Sequence, residues 1–115
     1  MSLRPTPINA PRGAVLLCAE VVICSAWAVS PGHLHAPSRG KSRIAVARQA
    51  LAYIARVELG VPMADIGAYL ARDGSTIAHA CRVTEDRRDS RAFDRALAAL
   101  GVATVDLAAL ALGER

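Results

Sequence analysis

The chain is poor in aromatic side chains: one Trp, two Tyr and one Phe make up 3% of its 115 residues, whereas 53% are hydrophobic. That scarcity requires a core built from aliphatic and alanine side chains. Alternating Val, Ile and Thr runs are also scarce, which argues against a sheet. Ala and Leu dominate instead, and both favour helix. Cysteine is limited to Cys18, Cys24 and Cys81, an odd set with no C-x-x-C pair. This argues against a disulfide framework and points to buried thiols in a reducing compartment. His33, His35 and Cys81 form no recognisable ligand spacing, so no zinc site is expected. There is no G-x-x-x-x-G-K-[ST] loop, no nucleophile–base pair and no carboxylate cluster at catalytic spacing. Asp65, Asp73, Glu85 and Asp86 read as caps and surface charges. The chain is therefore not expected to be an enzyme or to need a cofactor.

One apolar stretch imitates a secretory signal. "GAVLLCAEVVICSAWA" follows Arg4 and Arg12 and ends in Ala26-Trp27-Ala28. Glu20 in its middle is foreign to a signal core, and the run falls short of the roughly 20 residues that span a bilayer. It reads as a core helix, and the expected compartment is the cytoplasm.

An all-α fold of about five to six helices follows, in one domain. Residues 1–12, with Pro5, Pro7 and Pro11, read as a flexible arm, 13–101 as the domain and 102–115 as an apolar C-terminal helix. The first helix is expected from about Ala14 to Val29, with Glu20 on one edge. Ser30-Pro31 should start a short helical turn, a hydroxyl cap followed by Pro at the first position. "HAPSRGKSR" (35–43) is a basic loop. From Ile44 to about Leu59 a helix should bury Ile44, Ala47, Leu51, Ile54 and Ala55, leaving Arg48, Gln49 and Arg56 outside. Gly60 and Pro62 end it. A short helix over 63–70 turns Met63, Ile66 and Leu70 inward. The next, from about Ser75 to Arg87, buries Ile77, Ala80, Cys81 and Thr84, and its other face carries Ser75, Thr76, His79 and Arg82. A helix over 89–100, capped by Ser90 and anchored by Phe93 and Leu97, should close at Gly101. "TVDLAALAL" (104–112) would be a separate last helix.

Residues 63–83 have the spacing of a helix-turn-helix. Gly67 allows the two helices to cross closely, and Asp73 can cap the second. The amino end of that helix favours an anion, and hydroxyls at Ser75 and Thr76 can reach phosphates or base edges in a major groove. The alternative is that they merely cap a surface helix. Charge sharpens the choice. The formal net charge of the chain is +4. Arg39, Lys41, Arg43, Arg48, Arg56, Arg72 and Arg82 face only Glu58, Asp65 and Asp73 between them, so the whole excess lies in the segment holding the motif. Such clustering suits phosphate contacts and an arginine in a narrow minor groove; a solvated loop is the plainer account.

The stretch "SRIAVARQALAYIARVELGVPMADIGAYLARDGSTIAHACRVTED" resembles the C-terminal DNA-binding domain of DnaA, the bacterial replication initiator. "ARQ" (47–49), "IG" (66–67), "RDGSTI" (72–77) and "HAC" (79–81) stand where that family has "ARQ", "IG", "RDHTTV" or "RDHSTV", and "HAC" or "HAV". "AWAVSPGHL" extends the likeness over roughly residues 14–87. The resemblance implies that a basic-loop residue among Arg39, Lys41 and Arg43 enters the minor groove. It places base reading in the major groove on Asp73, Ser75 and Thr76, with Arg56 and Arg72 on phosphates. Gly74 replaces the family's His, and the turn from Gly67 to Arg72 is one residue shorter, so a site other than the DnaA box is expected. Together the DNA-binding candidates are Arg39, Lys41, Arg43, Arg48, Arg56, Arg72, Asp73, Gly74, Ser75, Thr76, His79 and Arg82.

With no ATPase module in these residues, the expectation is a stand-alone double-stranded-DNA-binding transcriptional regulator. It resembles alphaproteobacterial DnaA-like activators of gene transfer agent or prophage-derived genes, which work with a sigma-like partner and RNA polymerase. Two alternatives remain: a replication-origin modulator competing with DnaA, and a protein-interaction module that no longer reads DNA. Val105, Leu107, Leu110 and Leu112 would serve the last, unless they pack on the 14–29 helix.

Overall fold

A computed structural model describes residues 10–37 and 42–113, and the described residues form six helices and no strand. These are α1 (Ala10–Trp27), α2 (Pro31–Leu34), α3 (Ser42–Val57), α4 (Met63–Leu70), α5 (Gly74–Arg87) and α6 (Arg91–Ala111). α3 is the central element, packing against α5 on one side and α1 on the other, while α6 lies along α1. None of these helices is long and apolar enough to cross a membrane.

The aliphatic core expected from composition is present. Leu16, Ala19 and Ile23 of α1 meet Leu51 and Ile54 of α3, with Ile66 and Leu70 of α4 and Ile77 of α5, all essentially free of solvent contact. α3 buries Ile44, Ala47, Leu51, Ile54 and Ala55 as its periodicity predicts. Its alanines let α1 and α5 approach from opposite sides, because Ala50, Ala52 and Ala55 are buried too.

Local chemistry sets most boundaries. Ser30 caps α2 by accepting from the His33 amide at 3.2 Å, and Ser90 caps α6 by accepting from the Phe93 amide at 3.4 Å. Past α3, Gly60 takes φ +67° and the Val61 amide bonds back to the Ala55 carbonyl at 2.9 Å. This left-handed turn redirects the chain into α4.

Several sequence expectations need correction. α1 begins at Ala10, so the last three residues of the expected arm are helical; residues 1–9 lie outside the described set. α1 also stops at Trp27, and Ala28 adopts φ 53°. Gly101 does not close a helix: α6 runs unbroken from Arg91 to Ala111. No proline follows to forbid continuation, and Gly101 instead packs against α3's exit, where a Cβ would lie 3.1 Å from Glu58 Cγ. Arg48 is not outside the buried stripe but within it, 8% exposed.

Glu20, expected on an edge, is buried between three helices. It accepts from Tyr69 Oη at 3.0 Å and pairs with His35 Nε2. The His35 ring meets Tyr69 edge-on, centroids 5.0 Å apart. Burial, followed by the Glu20 hydrogen bond, pushes the Tyr69 hydroxyl well above the ordinary phenol range. A second polar group fixes the far end of α5. Tyr53 donates to Glu85, and Arg88 bridges Tyr53 Oη at 2.8 Å and Asp94 at 2.5 Å.

Candidate nucleic-acid interface

α4, its turn and α5 form the helix-turn-helix. Gly67 is essential to its compactness: a Cβ there would sit 2.6 Å from the Arg72 carbonyl oxygen, a distance no real Cβ tolerates. Ala71 caps α4 in the left-handed region at φ 53°, and the Arg72 amide returns to the Gly67 carbonyl at 2.9 Å. The turn thus reverses within three residues, and α5 begins at Gly74. Gly74 itself has open space around it and no positive φ, so the turn does not need glycine there.

Asp73 caps α5. Its Oδ1 accepts from the Thr76 amide at 2.8 Å and from Ser75 Oγ at 2.7 Å. The Ser75 hydroxyl first and the Thr76 amide second hold the Asp73 carboxyl below its ordinary range. Ser75 is therefore part of the cap, and Asp73, Gly74, Ser75 and Thr76 all remain exposed. A carboxylate held charged in this way can accept from the exocyclic amine of cytosine in a major groove.

Next to this helix end lies an open cleft of about 620 Å³. One wall is α3, through Ala45, Arg48, Gln49 and Ala52; the other is α5, through Ser75, Thr76, His79 and Ala80. Pro37 and Arg72 close it. Pro37 lies in the 35–43 loop, two residues before Arg39, so the described start of that loop and the amino end of α5 share one side of the molecule.

The cationic candidates occupy different environments. Arg39 and Lys41 lie outside the described residues. Arg43 is exposed on the first turn of α3. Arg56 is exposed in the last turn of α3 and acts electrostatically on Cys81 of α5. Ser75, His79 and Arg82, at helical spacing on α5, are all exposed. Arg48 is different: Nε donates to the Leu34 carbonyl at 2.8 Å and Nη2 to the His33 carbonyl at 3.1 Å. Arg72, expected on phosphate, donates to the carbonyls of Leu70 and Ala36 at 2.9 and 2.7 Å.

Sequence reasoning did not foresee these carbonyl partners. For Arg48 a signal existed: it shares the stripe of Ile44, Leu51 and Ala55 at helical spacing, and its charge alone argued it outward. For Arg72 no local signal existed, because Ala36 is far away in sequence.

No curated protein and no solved structure matches the chain at a significant level. A family model described as bacterial dnaA protein helix-turn-helix matches residues 20–83, from the middle of α1 to the last turns of α5. The match takes in the central helix, the glycine-pinned turn and the capped, solvent-facing helix that carry the geometry above. Extending over more than half of the sequence, it shows that the chain belongs to the bacterial dnaA protein helix-turn-helix family.

Proposed function

We propose that this DNA-binding helix-turn-helix protein is a sequence-specific transcriptional regulator of double-stranded DNA. In this reading α5 enters a major groove amino end first, and the basic stretch at Arg39, Lys41 and Arg43 follows the adjoining minor groove. The observation that carries it is the exposed, Asp73-capped end of α5, with Thr76 and His79 on the cleft that Pro37 also lines. The helix dipole and the local cationic excess favour a phosphate backbone there. Arg56 and Arg82 are assigned to phosphates flanking the reading end.

Regulation is assigned to activation with RNA polymerase or a sigma-like partner, in the manner of DnaA-like activators of gene transfer agent genes, at the cytoplasmic nucleoid. A single small reading head contacts few base pairs, so a DNA-bound partner or tandem sites would supply the missing specificity. Genome-wide mapping of bound DNA tests this. Peaks at promoters are expected; a dominant peak at the replication origin would instead establish competition with DnaA. The turn and Gly74 depart from the family pattern, so a DnaA box should compete poorly with the protein's own promoter sites.

A second reading, a module that binds protein and not DNA, is favoured by α6. Val102, Val105 and Leu110 are exposed on it and Leu112 just past its end, Leu110 by 78%. The protein's retention on DNA separates the two.

A further inference from the structure

Segment 33–36 is held from two sides. From α3, Arg48 grips the carbonyls of His33 and Leu34. From the α4–α5 turn, Arg72 spreads its two terminal nitrogens, Nη2 to the Ala36 carbonyl at 2.7 Å and Nη1 to the Leu70 carbonyl at 2.9 Å. Three of the four backbone carbonyls in this segment are thus fixed by two guanidinium groups. The two cations are also near neighbours. Burial first, and the Arg72 charge second, draw the Arg48 guanidinium below its ordinary range. Such a juxtaposition of like charges needs the carbonyl dipoles that surround it. Arg43 stands on the first turn of the helix that Arg48 belongs to, and Thr76 on the first turn of the helix that Arg72 launches.

Resting on the DNA-reading function proposed above, we infer that Arg72 is a positioning residue. It stitches the turn ahead of α5 to segment 33–36 and, with Arg48, fixes the amino ends of α3 and α5 so that Arg43 and Thr76 meet one duplex in a set register. Both terminal nitrogens of Arg72 are already engaged by carbonyls, which fixes the plane of the guanidinium and leaves a phosphate only the remaining N–H groups. The rigid, planar fork matters, because the compact ammonium of Lys does not hold two carbonyls on separate segments in fixed geometry.

The test uses Arg72→Lys, which keeps the charge. A duplex is selected from a random pool with the wild-type protein, and a second carries one extra base pair between its two protected blocks. Arg72→Lys should keep the wild-type salt dependence but lose about tenfold in preference for the selected duplex over random sequence, the scale of one charge-assisted hydrogen bond. It should also discriminate less against the extra base pair than the wild type does. Arg72→Lys that matches the wild type on both duplexes overturns the inference, since a point charge on phosphate would then suffice.

A measurement on the wild type covers the case in which the variant does not fold. The Arg72 guanidinium nitrogens, followed by NMR, should keep their resonances and their coupling to the Ala36 carbonyl when DNA is added. Loss of that coupling with transfer onto phosphate overturns the inference. A wild-type protein that binds selected and random duplexes equally overturns the DNA-reading function itself, an outcome distinct from either of these.

Discussion

The two ends of the helical stack are built from opposite materials. At the α3–α5 end the solvent meets Arg43, Asp73, Ser75, Thr76, His79 and Arg82. At the α1–α6 end it meets Leu17, Val21, Val102, Val105 and Leu110, each 39% exposed or more. The same Ala-rich core supports both, so the contrast comes from what each surface is for. The front is polar yet rigid, because a cap, a glycine crossing and two carbonyl-bound arginines hold it. The back is apolar: α6 packs through buried Leu97, Gly101, Thr104 and Ala108, and Thr104 satisfies its hydroxyl on the Leu100 carbonyl at 2.8 Å. Rigidity at the front is what a reader of fixed base-pair geometry requires.

The largest expected effect comes from breaking the front at Gly67. Gly67→Val should cost about 3 kcal/mol of stability through overpacking and abolish DNA retention, measured by denaturant melts and mobility shift. Replacing the readers and leaving the frame is next. Thr76→Ala should cost roughly 1–3 kcal/mol in specific binding, and Arg43→Ala should lower the salt slope by about one unit. The double variant should lose DNA and keep its melting profile; normal DNA retention would remove these residues from the site. Ala71→Gly releases a left-handed non-glycine residue and should stabilise the fold by about 0.5–1 kcal/mol with unchanged affinity.

The Asp73 cap adds a pH dependence. Its carboxyl is held below the ordinary range, so its contribution is complete above the unfolded-state value and disappears as pH falls through the folded one. The Thr76 amide resonance, which reports the cap, should therefore titrate below the normal carboxylate range. The smallest effect belongs to the back. Val102→Ser and Leu110→Ser should each change stability by no more than about 0.5 kcal/mol and leave DNA binding alone.

Elements whose signals are local were legible in the sequence. The caps at Ser30, Asp73 and Ser90 each accept the amide three residues on. The buried stripes of α3, α4 and α5 follow helical spacing, although Met63 and Cys81, expected inward, are only half-buried. What escaped depended on distant partners. Gly101 read as a terminator because the Glu58 side chain beside it comes from the exit of α3, far away in sequence. Glu20 read as an edge residue because His35 and Tyr69 come from elsewhere in the chain. The carbonyl partners of Arg48 and Arg72 escaped because a cation's charge is visible in sequence and the carbonyls that hold it are not.

The central claim is that a duplex seats on the cleft between α3 and the amino end of α5. Chemical-shift mapping of the labelled protein with a selected duplex tests it most directly. Arg43, Ser75, Thr76 and His79 should shift together while Leu17, Val21, Val105 and Leu110 stay still. Shifts confined to α1 and α6, with the start of α5 silent, would contradict it.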